Sequence, residues 1–165
     1  MDMKVQKLLD AKEKTLHTAS PENSLCEVMN QMLSEFISAV LIYDNDEFVG
    51  IISEKDILSI CKVSERMTQL ERKEIGVTGL KEKGLKELKV KQYMTLAEKM
   101  YTCTKDDTLE KLMEIMTEQK KRHIPVMEDG KVIGILSMRD TIKFLLDAAR
   151  KDNKLLNDYI SGGQS

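Results

Sequence analysis

Two stretches of this chain lie over one another without a gap: Glu47–Asp56, EFVGIISEKD, and Lys131–Asp140, KVIGILSMRD. Gly50, Ser53 and Asp56 match Gly134, Ser137 and Asp140, each pair 84 positions apart. The same spacing carries Thr18 onto Thr102, Leu25 onto Leu109, Met29 onto Met113, Met32 onto Met116 and Ile51 onto Ile135. Further upstream, Val5, Leu8 and Leu9 match Val90, Tyr93 and Met94 at 85 positions, so one residue is lost between the two registers. Apolar residues recur by helix or strand period alone, but a fixed register over about fifty residues is the mark of a duplicated unit. The fold must therefore be one that is built twice.

A chain of 165 residues holds one ordinary domain or two small repeats sharing a core. The formal charge of -2 supplies no global basic field, so nucleic acid is not an expected partner. Cys26, Cys61 and Cys103 are odd in number and scattered, without C-x-x-C spacing. That pattern suits a reducing compartment and argues against a disulfide framework or a zinc site. Charges run through the first fourteen residues, where a signal peptide needs an apolar run, and no stretch approaches a membrane span. The expectation is a soluble, cytoplasmic protein with no membrane association.

Each copy reads as strand, helix, strand, strand, helix. In the first, Val5, Leu8 and Leu9 suggest a short amphipathic helix, and Thr15–Ser20 is a brief strand. Ser24 and Glu27 form a capping box that opens a helix with the stripe Leu25, Val28, Met29, Met32, Leu33 and Phe36. Strands are expected over 37–43 and 48–52, and Ser53 caps a helix reaching about Lys62. In the second copy the strands fall at 101–104, 123–127 and 132–136, and Asp129-Gly130 is a hairpin turn. The expected fold class is α+β, two β-α-β-β-α repeats packed about a pseudo-twofold axis. The expected boundaries are 1–62 for the first repeat with its leading helix and 63–89 for a charged linker, helical over 64–75. The second repeat follows at 90–146, then a helical tail at 147–165.

The segments VGIISEKD and VIGILSMRD, with RHIPVMEDGK and YTCTKDDTLEKLMEIM, resemble the cystathionine β-synthase (CBS) domain. Their recurrence makes the chain similar to a tandem pair, or Bateman module, over residues 5–60 and 90–146. The resemblance implies a regulatory module, not an enzyme, that binds an adenosine-containing ligand in the cleft between the repeats. AMP, ADP, ATP or S-adenosylmethionine would fit that description, with no catalytic cofactor. Occupancy would be transmitted to a regulated partner protein, with the module working as a homodimer.

The residues themselves suggest how. A helix beginning has backbone N–H groups without intrahelical partners and the positive end of the dipole, and so attracts phosphate. A carboxylate placed there offers acceptors for both hydroxyls of a ribose. Asp56 and Asp140 are the candidates for that role, with Ser53 and Ser137 beside them. The alternative is that Ser-x-x-Asp is a capping box and nothing more. Lys121, Arg122 and His123, with Arg139, form a basic group present only in the second copy. The resemblance implies phosphate binding there; a solvated helix end is the competing reading. His123 has no partner at metal-ligand spacing, so no metal site is expected. A base would rest against Ile124, Pro125 and the strand of Thr102, or against Val40 and the strand of Thr18. The apolar stripes at Val5–Leu9 and at Leu155, Leu156, Tyr159 and Ile160 keep a second function open, a ligand-free structural module for subunit association. No nucleophile elbow, P-loop, metal cluster or pair of catalytic carboxylates argues for an enzyme.

Overall fold

The computed structural model describes residues 3–12, 15–66 and 84–162. It contains two compact units, one made of residues 16–100 and the other of 1–15 with 101–165. Both mix helices with a small sheet, the α+β class expected.

In the unit of residues 16–100, β1 (Thr18–Ala19) leads into α2 (Leu25–Ser34), then β2 (Ala39–Asp44), β3 (Glu47–Ser53) and α3 (Glu54–Arg66). β1 runs parallel to β2, and β2 pairs antiparallel with β3. A fourth short strand, β4 (Thr95–Leu96), joins the far edge of β3. α2 begins at the predicted capping box: Ser24 Oγ accepts from the Glu27 N–H, and the Glu27 carboxylate accepts from the Ser24 N–H. Leu25, Val28, Val40, Ile42, Ile52 and Val90 are buried together as the core.

The other unit repeats this plan. β5 (Cys103–Thr104), α4 (Leu109–Glu118), β6 (His123–Glu128), β7 (Lys131–Ser137) and α5 (Met138–Gly162) follow in order. Leu109, Leu112, Met116, Ile124, Val126 and Leu136 form its core. Burial, with the nearby Asp107 carboxylate, pushes the Cys103 thiol up to about 12, so it is an apolar core group.

The duplication reaches the irregular backbone. Each β-hairpin turns through two residues of positive φ, Asn45 and Asp46 in one unit and Asp129 and Gly130 in the other. That is the backbone whose twist suits a two-residue hairpin. A bulge follows Ile42 in β2 and Val126 in β6, the same repeat position. α2 and α4 are each followed by a left-handed residue, Phe36 and Lys120.

Phe36 corrects one expectation. It does not continue the stripe of α2; with φ of 54° it stands just past the helix, and its side chain is 90% exposed. The Ile37 N–H reaches back to the Met32 carbonyl, a helix-ending bond that needs a left-handed residue in between. Leu33 is also exposed, since it lies off the arc defined by Leu25, Val28 and Met32.

The leading helix α1 (Val5–Asp10) packs in the unit of residues 101–162, although the first repeat follows it in the chain. The Val5 N–H donates to the Asp107 carbonyl and the Leu109 N–H to the Met3 carbonyl. In the other unit the Val90 N–H donates to the Asn23 carbonyl and the Leu25 N–H to the Leu88 carbonyl. These are the same bonds in repeat-equivalent places: each repeat's helix entry is bound by the segment that precedes the other repeat. α3 runs unbroken through Arg66, past the end expected near Lys62. The rest of the helix expected over 64–75 lies outside the described residues. α5 continues without interruption from Met138 into the tail. No helix among the described residues is long and apolar enough to cross a membrane.

Candidate functional site

β3 ends at Ser53 and β7 at Ser137, and in both units the next residue begins a helix. The Ser53 N–H donates to Asp56 Oδ2 at 2.8 Å and its hydroxyl to the same oxygen at 2.6 Å. Ser137 makes the same two bonds to Asp140 Oδ2, at 2.8 and 2.7 Å. The Asp140 N–H returns a bond to Ser137 Oγ at 3.2 Å, completing a capping box with Asp in place of Glu. The Ser137–Asp140 pair therefore caps its helix fully, and Ser53–Asp56 makes the half of the box in which the aspartate accepts from the serine. That role uses only Oδ2: the Oδ1 oxygen of Asp56 and of Asp140 accepts no hydrogen bond among the described residues. A free carboxylate oxygen at a helix beginning can still take hydroxyl donors.

Asp140 has one more partner. Lys12 Nζ donates to Asp140 Oδ2 at 2.7 Å and to the Ile135 carbonyl at 2.9 Å. Burial pushes the Asp140 carboxyl up, but the Lys12 ammonium and the Ser137 donors outweigh it, leaving its pKa below the ordinary aspartate value. Lys12 was not legible as a site residue. It lies where the repeat register slips, and the 85-residue offset places it on Ala97 in the other copy.

The basic group converges on this corner. His123 is the cross-strand partner of Ser137, and the Met138 N–H donates to the Arg122 carbonyl at 2.9 Å. The backbone of Lys121, Arg122 and His123 is thus held beside the start of α5, with Arg139 next to Asp140; Lys121, Arg122 and Arg139 are exposed. In the first copy Ala39 faces Ser53 and the Glu54 N–H bonds the Ser38 carbonyl, the same frame without the cations.

Val40 and Ile124 require a correction. Both are fully buried inside the cores of their units. Neither offers a wall for a base. Pro125 follows Ile124 on the opposite face of β6 and is buried as well, while Thr18 is exposed on β1 across from Leu41. Thr102 is exposed and lies just before β5, not in it. The reason is Pro125: in the first copy the Leu41 N–H bonds the His17 carbonyl, whereas proline has no N–H to give Tyr101.

The family model for the CBS domain matches residues 10–62 and 90–147. The chain belongs to the CBS-domain family. It is a CBS pair, and such pairs are regulatory modules. It is 28% identical over 145 residues to the mitochondrial CBS domain-containing protein CBSX3 of Arabidopsis thaliana, spanning 86% of this chain and 62% of that protein. The chain thus spans about six-tenths of that relative's length. A crystal structure of a CBS-domain protein from Agrobacterium tumefaciens is 28% identical with a TM-score of 0.67, covering 86% of this chain and 98% of the other. The structure of CBSX2 in complex with AMP shares the fold of this CBS pair, with a TM-score of 0.68 at 20% identity, over 88% of this chain and 97% of that one.

Proposed function

We propose that this CBS pair is a sensor of adenosine nucleotides that reports occupancy to a partner protein. The observation that carries the reading is the corner at the start of α5. There a carboxylate oxygen that accepts no hydrogen bond among the described residues, a serine hydroxyl and a run of cations meet at the positive end of a helix. Asp140 holds the ribose, Ser137 supports it, and Lys121, Arg122, His123 and Arg139 draw the phosphates. Thr102 flanks the base. Ser53 and Asp56, with Thr18, provide a second position without the cations. AMP is bound in the CBSX2 structure, which makes it the first probe, followed by ADP, ATP and S-adenosylmethionine.

Melting the wild type, Asp56→Ala and Asp140→Ala with each ligand tests this. A ligand at a hundred times its dissociation constant stabilises the native state by about 2.7 kcal/mol. For a chain of this size that is a rise in melting temperature on the order of 5–10 °C. Asp140→Ala is expected to remove most of the shift and Asp56→Ala less of it. A full shift in Asp140→Ala would show the site to be elsewhere.

The helices support a further part of the reading, a homodimer. Leu33, Phe36 and Leu58 in one unit, and Met113, Ile142 and Leu146 in the other, are large apolar side chains left exposed. Light scattering is expected to give twice the 18.9 kDa chain mass at micromolar concentration. A monomer mass there would rule the homodimer out.

A further inference from the structure

Among the described residues, one of the two carboxylates at these helix beginnings is paired with a cation and the other is not. Lys12 comes from just beyond α1 to Asp140 Oδ2 and the Ile135 carbonyl, while Asp56 has no ion pair among the described residues. The two serine–aspartate networks otherwise agree to within 0.1 Å in the bonds they share. The side chains of Lys12 and Asp140 are 30% and 25% exposed. The pair is sheltered enough to interact more strongly than two freely solvated charges.

We propose that Lys12 determines specificity at the Asp140 position, admitting a phosphorylated nucleoside and disfavouring a neutral one. This rests on the reading of Asp140 as the sugar-binding carboxylate. Asp140 Oδ2 already accepts from the Ser137 N–H, the Ser137 hydroxyl and the Lys12 ammonium. Three donors already fill the roughly two lone-pair positions of that oxygen, so a vicinal diol that spans the carboxylate, one hydroxyl on the free Oδ1 and one on Oδ2, displaces one of them. The two Ser137 bonds belong to the helix cap, which leaves Lys12 as the group to move. A neutral nucleoside parts the ion pair and gives the ammonium no negative charge in return, leaving a half-sheltered cation unpaired. A nucleotide brings its own anion, to which Lys12 can transfer. Asp56, with no cation paired to it among the described residues, applies no such filter.

The test uses the full chain carrying Asp56→Ala, so that only the Asp140 position is read. Calorimetric titration with AMP and with adenosine gives the ratio of their dissociation constants, with and without Lys12→Met. AMP is expected to bind the Asp56→Ala protein at least about tenfold more tightly than adenosine. Adding Lys12→Met should lower that preference by about tenfold, with adenosine binding tightened as well as AMP binding weakened. Tighter adenosine binding is the decisive sign, since loss of a general phosphate attraction would not produce it. Lys12→Gln should do the same, and it carries the test if the methionine variant does not fold. An unchanged ratio with AMP still bound overturns the role of Lys12 and leaves the Asp140 reading standing. If the Asp56→Ala protein binds neither ligand, with or without the Lys12 substitution, both fall.

Discussion

Gly50→Ala is expected to destabilise the protein by about 2–3 kcal/mol, the upper part of the range for an overpacked site. A Cβ at Gly50 would stand 2.4 Å from the Thr95 carbonyl oxygen and 3.2 Å from its carbonyl carbon. Those are backbone atoms of β4, held on β3 by the pairing of Gly50 with Leu96 and of Ile51 with Thr95. Backbone in a ladder cannot swing aside as a side chain can, so the substitution must push β4 off the sheet or bend β3. Gly134 occupies the equivalent place in the other unit, and its added Cβ would also meet an atom at 2.4 Å. There the atom is Leu9 Cδ1, the end of a side chain that can change rotamer, so Gly134→Ala is expected to cost only about 1 kcal/mol. Urea unfolding of the two variants checks the contrast. Equal losses would show that the nature of the neighbour does not decide the cost.

The two glycines also mark how far the sequence could be read. As members of the repeat they stood out, and glycine before a helix cap suggests that another segment comes close. Nothing in the sequence says which segment. Thr95–Leu96 is two residues long, too short to carry a strand period, so β4 was not expected. Elements that depend on local chemistry were legible: the Ser24–Glu27 capping box, the Asp129-Gly130 turn and the serine–aspartate caps are each fixed within four residues. Features set by tertiary contact were not. Val5, Leu8 and Leu9 announce an apolar face, but a 3.6-residue period does not name the core that the face will enter. The burial of Ile124 depends on which side of the sheet its unit packs. The Lys12–Asp140 pair joins residues 128 positions apart, and a lysine among charged neighbours gives no sign of it.

Leu8→Ala tests the least expected of these findings, the placement of α1. Leu8 is 2% exposed and packs in a cluster with Leu109, Leu112, Ile124 and Leu136. Truncating a buried leucine removes its transfer free energy and leaves a cavity, together costing about 2–5 kcal/mol. α1 has six residues, too few to hold itself as a helix, so its stability comes from that packing. Loss of Leu8 should therefore release the backbone bonds that Val5 and Gln6 make to Asp107 and Lys105, and Leu109 to Met3. Hydrogen exchange gives the location as well as the size of the effect. Amides of α4, β6 and β7 are expected to exchange faster, by more than those of α2, β2 and β3, though the latter belong to the repeat nearer in sequence. Val90→Ala should reverse the pattern, because Val90 is buried with Leu25, Val28 and Ile52. Faster exchange in α2, β2 and β3 on mutating Leu8 would mean that each leading helix serves its own repeat, and the reciprocal exchange of segments would be wrong.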